Sequence, residues 1–103
     1  MIAVTVLYPT TDGAHLDLDY YRDRHMLMVA ELWRPMGLRN ARVLVGKPGP
    51  DGAQPPYALM TTLEFDDLAA FGAAVKAHGA TLFGDVPNFT SIKPITQISE
   101  IMI

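Results

Sequence analysis

Two side chains with polar tips, Tyr21 and His25, lie four residues apart in the sequence. Residues at this spacing share one face of an α-helix, so the phenol and the imidazole are expected to be neighbours. An imidazole can take or give a proton near neutral pH, and a phenol hydroxyl can orient a partner by a hydrogen bond. The pair predicts a proton-transfer site in which His25 is the acid or base and Tyr21 positions the substrate.

The helix that carries this pair is predicted over residues 17 to 33, with Asp17 as its N-cap and Pro35 and Gly37 ending it. A rotation of about 100° per residue gives one inward-facing apolar stripe. The stripe consists of Leu18, Tyr21, His25, Met28, Val29 and Leu32. Burying an imidazole there costs about 1 to 3 kcal/mol for each unpaired polar atom, which favours a use for His25. The alternative is a core histidine hydrogen-bonded to a carbonyl or to Tyr21.

Further candidate ligand contacts follow the second predicted helix. Phe83, Asn88 and Phe89 belong to an irregular segment that leads into the last strand, and they are predicted to line a pocket mouth. Met28 is predicted to form an adaptable wall for apolar ligands. Each has a structural alternative: the aromatics could close the end of the core, Asn88 could form a turn, and Met28 could simply pack.

The other histidines are weaker candidates. His15 is predicted to be a solvated loop residue, and His78 to lie in the last turn of the second helix, where a cation is favourable. No two histidines have metal-ligand spacing and cysteine is absent, so no metal site is predicted. There is no glycine-rich phosphate loop and no nucleophile elbow, so we expect neither a nucleotide cofactor nor serine hydrolysis.

The elements that position these residues follow the order β-α-β-β-α-β. Strands are predicted over residues 2 to 8, 38 to 46, 57 to 65 and within 91 to 103. The second helix is predicted to begin at a cap, Asp66 or Asp67, and to end at Gly79. This order is typical of an α+β ferredoxin-like fold, in which two helices cover one face of a four-stranded antiparallel sheet.

The chain has 103 residues and a formal net charge of −3, which indicates one domain over residues 1 to 103. It has no basic cluster, so nucleic acid is not expected as a partner. No apolar run is long enough for a membrane span, and no signal peptide is recognisable. The lack of cysteine fits a reducing compartment, and a cytoplasmic location is expected.

The predicted sheet is apolar on both faces. The first strand carries Val4 and Val6 on one side, but also Ala3 and Leu7 on the other. An uncovered face of this kind would be a large apolar patch for a monomer. A homodimer that packs sheet against sheet is therefore predicted.

Three segments together resemble the EthD family: Tyr20-Tyr21-x-x-x-His25, then 84 to 90 (GDVPNFT), and the closing 94 to 100 (PITQISE). The resemblance covers nearly the whole chain and implies a dimeric α/β barrel, in which the sheets of two ferredoxin-like subunits face each other. It also implies a ligand pocket between the first helix and the sheet. The family commonly has a proline soon after the helix histidine, whereas Met26 and Leu27 stand there in this chain.

Relatives of this barrel include cofactor-free monooxygenases, cyclases, isomerases, dehydratases and haem-handling proteins, so the resemblance leaves the chemistry open. Our leading hypothesis is a cofactor-free enzyme of a degradation pathway, an isomerase, cyclase or lyase that binds a small apolar or aromatic metabolite. The alternative is a non-catalytic carrier of a hydrophobic intermediate for a monooxygenase system. Haem binding through His25 is less favoured, because no basic residues mark a clamp for the propionates.

Overall fold

The computed structural model describes all 103 residues and confirms the order of elements predicted from the sequence. The strands are β1 (Ile2–Pro9), β2 (Leu38–Val45), β3 (Tyr57–Phe65) and β4 (Ile95–Glu100). Helix α1 spans 18–33 and helix α2 spans Leu68–Gly84, while Arg34–Met36 and Val86–Asn88 form short 3₁₀ turns. No helix combines the length and apolar character needed to cross a membrane.

The strands form one antiparallel sheet in the order β2-β3-β1-β4, which gives the α+β ferredoxin-like fold. Strand β1 is central, so its residues have neighbours on both sides. Val6 pairs with Thr61 of β3 and with Thr96 of β4. Side chains alternate between faces along a strand, and those of Val4, Val6 and Tyr8 therefore point to the same side.

The core lies between this face of the sheet and the two helices. One cluster of nine buried residues surrounds Trp33 and Phe65, and a second cluster of five includes Tyr8, Tyr21 and Phe89. The Trp33 indole donates to the carbonyl of Ala74 at 3.0 Å, which ties α1 to α2. His25 is also buried, and its ring packs against Tyr21 and Phe89 of the second cluster.

The opposite face of the sheet is only partly apolar. Cross-strand pairing aligns one apolar row across all four strands, made of Leu44, Met60, Leu7 and Ile95. The neighbouring row, Arg42, Thr62, Thr5 and Gln97, is polar. The prediction of a second apolar face therefore holds for one row rather than for the whole face.

Helix α1 is not a regular α-helix. Its α-helical ends, Leu18–Tyr20 and Met26–Trp33, enclose a π-helical segment, Tyr21–His25, in which the Met26 N–H bonds to the Tyr21 carbonyl. The buried residues are Tyr21, His25, Val29 and Trp33, a strict four-residue spacing. On a regular α-helix, the directions of two side chains four residues apart differ by about 40° around the helix axis. The wider π turn reduces this difference. Leu18, from the predicted stripe, is exposed.

Helix α2 extends five residues beyond its predicted end. Asp67 is its N-cap and accepts the Ala70 N–H at 2.7 Å, and the helix continues through Gly79 to Gly84. The predicted end at Gly79 is wrong because this glycine does not adopt the left-handed conformation of a helix stop. A Cβ there would lie 3.0 Å from Val75 Cγ1, so the position instead has little room for a side chain. His78 consequently lies inside the helix rather than in its last turn.

Gly37 does end the α1 region in a left-handed conformation, at φ 103°, where a Cβ would lie 3.2 Å from Ala70 Cβ. We expect Gly37→Ala to lower the free energy of unfolding by about 1 to 2 kcal/mol through backbone strain. The matched control is Gly72→Ala in α2, where an added Cβ meets open space. It should raise stability by about 1 kcal/mol. Urea unfolding of both variants checks this, and equal effects would contradict it.

Candidate functional site

A cavity that opens to solvent lies between helix α1, the end of α2 and the sheet. Twelve of its 16 lining residues are hydrophobic. Its inner wall includes buried Val4, Val29 and Leu63, while Phe83 and Thr96 are exposed and lie at the mouth. The space is therefore an apolar pocket that opens beside the edge strand β4.

His25 is the only histidine in the wall of this cavity, and it is 6% exposed. Its Nδ1 lies 2.9 Å from Oδ2 of Asp85. An ionised carboxylate can only accept, so Nδ1 carries the proton and donates it to this bond. In the neutral imidazole Nε2 is then the acceptor, and it makes no bond within the protein. Because every fully enclosed side-chain N or O atom has a hydrogen-bond partner, the unpaired Nε2 must reach open space, and the cavity supplies it.

Asp85 is held by two further donors on its other oxygen. The Tyr20 hydroxyl donates to Oδ1 at 2.7 Å, and Nδ2 of Asn88 donates to the same atom at 2.9 Å. Burial acts to raise the pKa of Asp85, but the hydrogen bonds from Asn88, Tyr20 and His25 outweigh it and hold the pKa below its ordinary value. The carboxylate is consequently ionised at neutral pH.

Tyr21 forms the wall beside His25. The two rings stack with centroids 5.1 Å apart, and the Tyr21 hydroxyl shares a 2.5 Å hydrogen bond with Oγ1 of Thr61 on β3. Burial raises the pKa of Tyr21, although the hydrogen bond with Thr61 acts in the opposite direction. The phenol is therefore neutral and fixed to the sheet.

Phe89 supports both rings from behind. It is fully buried, with its ring centroid 4.9 Å from that of Tyr21 and 4.8 Å from that of His25. It does not line the cavity itself. Its contribution is to hold the two rings in place.

Backbone contacts join the start of α1 to the segment after α2 and so set the distance between His25 and Asp85. The Asp17 N–H donates to the carbonyl of Phe89 at 2.7 Å, and the Thr90 hydroxyl donates to the carbonyl of His15 at 2.6 Å. Asp17 also caps α1 by accepting the Tyr20 N–H at 3.0 Å. The two sides of the site are thus fixed to each other at their base.

The structure brings together some of the residues predicted for the site. Tyr21, His25 and Phe83 line the cavity. Asn88 holds Asp85 and Phe89 lies behind the rings, while Met28 packs against the core and is replaced at the cavity by Met26. The side chain of His15 is exposed, away from the cavity.

Asp85 and Tyr8 have positions in the site that sequence reasoning did not assign. Asp85 follows His25 by 60 residues, so no local spacing connects them. The only sequence signal was an acidic residue in the segment between Phe83 and Phe89. Tyr8 was not assigned to the site because it lies near the end of a strand, where the alternation of side chains already accounts for it as a core residue. Tyr20 is not part of the predicted sheet-facing stripe, yet its hydroxyl bonds to Asp85 and helps to hold the site together.

The comparisons with known proteins agree with this geometry. Residues 17–93 match the EthD domain, and the chain belongs to the EthD family. It is similar to the crystal structure of an EthD-like protein from Ralstonia eutropha JMP134, with 40% identity, 99% of this chain and 92% of that chain covered, and a TM-score of 0.92. No curated protein matches the sequence.

Two more distant structures share the fold. An EthD family protein from Bacillus halodurans C-125 is 21% identical, with 99% of each chain covered and a TM-score of 0.68. A dimeric ferredoxin-like protein from Jannaschia sp. CCS1 is 20% identical, with 97% of this chain and 98% of that chain covered and a TM-score of 0.56. At these identities the likeness concerns the fold.

The network around Asp85 makes a prediction about acid stability. Its carboxylate, with a depressed folded-state pKa, stabilises the fold above the ordinary value of 3.8. This contribution is lost as the pH falls through the lower folded-state pKa. We expect Asp85→Asn to cost about 1 to 3 kcal/mol at pH 7, because the amide cannot accept from all three donors. The difference from wild type should shrink below pH 3.8.

Urea unfolding at a series of pH values between neutral and strongly acid conditions measures this difference. Asp12→Asn is the matched control, since Asp12 is an exposed loop residue. It should leave the pH dependence unchanged. A stability difference for Asp85→Asn that stays constant into acid would contradict the assignment.

Proposed function

We propose that this protein binds a small apolar or aromatic molecule in the cavity between α1 and the sheet and moves a proton on it with His25. The observation that supports the proposal is the buried His25–Asp85 pair. Nε2 of His25 has no hydrogen-bond partner in the protein and lies in the apolar wall of the cavity. A buried imidazole that is fixed on one nitrogen and open on the other has the arrangement required of a general base.

Asp85 and the apolar wall each have a part in this reaction. Asp85 fixes the tautomer and orientation of the ring through Nδ1 and compensates the positive charge that the ring gains when Nε2 takes a proton. The apolar wall excludes water, which strengthens the electrostatic interaction within the pair. Returning the proton to another atom of the bound molecule completes an isomerisation. In a lyase reaction, a leaving group instead departs with its bonding electrons and takes the proton from Nε2. Such steps need no group other than the side chains in place.

Proton transfer can be tested without knowing the natural substrate. The probe is 2-tetralone, a neutral aromatic ketone with acidic C–H bonds beside its carbonyl. In deuterium oxide, a general base in the cavity should accelerate the exchange of these hydrogens, which ¹H NMR follows directly. We expect His25→Gln to reduce the protein-catalysed rate by about 10² to 10⁴, the usual contribution of a general base.

His15→Gln is the matched control for this experiment, because it removes an exposed histidine outside the cavity. It should leave the exchange rate unchanged. Folding of His25→Gln is checked by urea unfolding, where a loss within about 1 to 2 kcal/mol is expected. Equal exchange by wild type and His25→Gln would refute the proposed role of His25. Binding of 2-tetralone without any accelerated exchange would favour the carrier hypothesis instead.

We further propose that the protein is a homodimer whose sheets face each other. The apolar row of Leu44, Met60, Leu7 and Ile95 supports this, since Leu44 and Ile95 remain 44% and 53% exposed in the single chain. The dimeric ferredoxin-like relative from Jannaschia shows that this fold occurs in dimers. A second copy would remove the row from water.

This arrangement predicts a specific disruption. Leu7 lies in the middle of the row, so Leu7→Glu should bury a charge at the interface and dissociate the dimer. Val4 and Val6 are unsuitable for the test because both face the helices and line the cavity. Leu68→Glu is the control, as Leu68 is 58% exposed on helix α2. Sedimentation velocity at micromolar concentration should show a monomer only for Leu7→Glu; a monomeric wild type would refute the dimer.

A further inference from the structure

We infer that the Tyr8 hydroxyl is a ligand anchor, and that the ligand is an uncharged ring compound with a carbonyl or hydroxyl oxygen. The inference rests on the proposed function, because it concerns the same cavity. It adds a residue that binds the ligand and a chemical class for the molecule bound.

Tyr8 lines the cavity from the end of β1 and is 2% exposed. Its hydroxyl lies near that of Tyr21, but the two phenols do not have the geometry of a regular hydrogen bond. The Tyr21 hydroxyl bonds instead to Thr61, and no other group bonds to the Tyr8 oxygen. A buried hydroxyl without a partner is costly, and native proteins rarely leave one. Since every fully enclosed polar side-chain atom is paired, the Tyr8 oxygen must reach the cavity.

The hydroxyl of Tyr8 is suited to donate rather than to ionise. Burial raises the pKa of Tyr8, and the nearby phenol of Tyr21 raises it further. It therefore remains a neutral O–H at any physiological pH. The complementary ligand atom is an oxygen acceptor, as a carbonyl or a hydroxyl provides.

The charge of the ligand follows from the rest of the wall. No Lys, Arg, Asp or Glu lines the cavity, and the one nearby carboxylate, Asp85, is already used by three donors. A carboxylate or phosphate taken into this wall would lose its hydration, and no Lys or Arg side chain is there to compensate its charge. A neutral molecule loses little hydration free energy when it enters the cavity, so the wall selects against anions.

The shape of the wall favours a ring. Tyr8 and His25 both flank Tyr21, with Tyr8 edge-on to it at 6.0 Å between centroids and His25 stacked on it at 5.1 Å. Tyr8, Tyr21 and His25 thus place three neighbouring rings in the wall, and the Tyr8 hydroxyl and His25 Nε2 belong to the two residues that flank Tyr21. An aromatic ligand that packs in this wall can offer an oxygen to Tyr8 and a proton to His25.

Three probes with one carbon skeleton separate these features: 2-tetralone carries a neutral carbonyl, tetralin has no oxygen, and tetralin-2-carboxylate is an anion. Binding to the wild-type protein, Tyr8→Phe and Tyr57→Phe is measured by isothermal titration calorimetry. The second substitution is the control, because Tyr57 does not line the cavity. Tyr8→Phe keeps the ring and its packing, and circular dichroism verifies the fold.

We expect the wild-type protein to bind 2-tetralone most tightly and the carboxylate most weakly. Tyr8→Phe should weaken 2-tetralone binding by about threefold to tenfold, as loss of one neutral hydrogen bond implies. It should leave tetralin binding unchanged, and Tyr57→Phe should change neither. The inference is overturned if the carboxylate binds as well as the ketone. It is also overturned if Tyr8→Phe weakens the binding of 2-tetralone and tetralin equally, or if it weakens the binding of neither.

The ring signals of His25 in NMR spectra distinguish this failure from a failure of the proposed function. If 2-tetralone shifts these signals but its affinity is independent of Tyr8, the anchor is wrong while the cavity remains the binding site. If no probe binds or shifts these signals, both the anchor and the proposed function are refuted.

Discussion

The arrangement of this site depends on one contact, the hydrogen bond between the buried imidazole of His25 and the buried carboxylate of Asp85. A carboxylate removed from water is stable only when its oxygens are well supplied with donors. Tyr20 and Asn88 provide the two additional donors, and both are placed by local structure: Tyr20 by the first turn of α1 and Asn88 by the 3₁₀ turn after α2. The start of one helix and the end of the other are therefore shaped around this single contact.

The π-helical segment Tyr21–His25 serves the same contact. A π turn widens the helix and brings residues at a four-residue spacing closer to one line, which keeps Tyr21 and His25 side by side over the cavity. π turns are rare because they are less favourable than the α-helix they interrupt. Those that do occur are frequently found at functional sites. Here the compensation is visible as packing: Tyr21 and His25 both rest on Phe89, and Tyr21 is fixed to Thr61 of the sheet.

The sequence was informative where structure is locally determined. Periodicity, the caps Asp17 and Asp67, and turn chemistry at Gly37 were sufficient for the order of elements and hence for the fold. The sequence was less informative where contacts between distant residues determine the local conformation. Gly79 has the residue type of a helix stop, yet it remains helical, and assuming a regular turn of 3.6 residues concealed the π segment. Asp85 could not be paired with His25, since only the folded chain brings positions 60 residues apart into contact.

The sheet order has a consequence for how the protein is made. Strand β1 is central and pairs only with β3 and β4, so during synthesis it must wait for most of the chain before it gains a neighbour. Helix α1 leaves the ribosome early, whereas Asp85, Phe89 and β4 leave it late. Contacts between distant parts of a chain form slowly, because a long loop must first be closed. A nascent chain therefore carries the His25 ring before Asp85 and Phe89 have been synthesised, and the site can form only after residues 85 to 89 have been added.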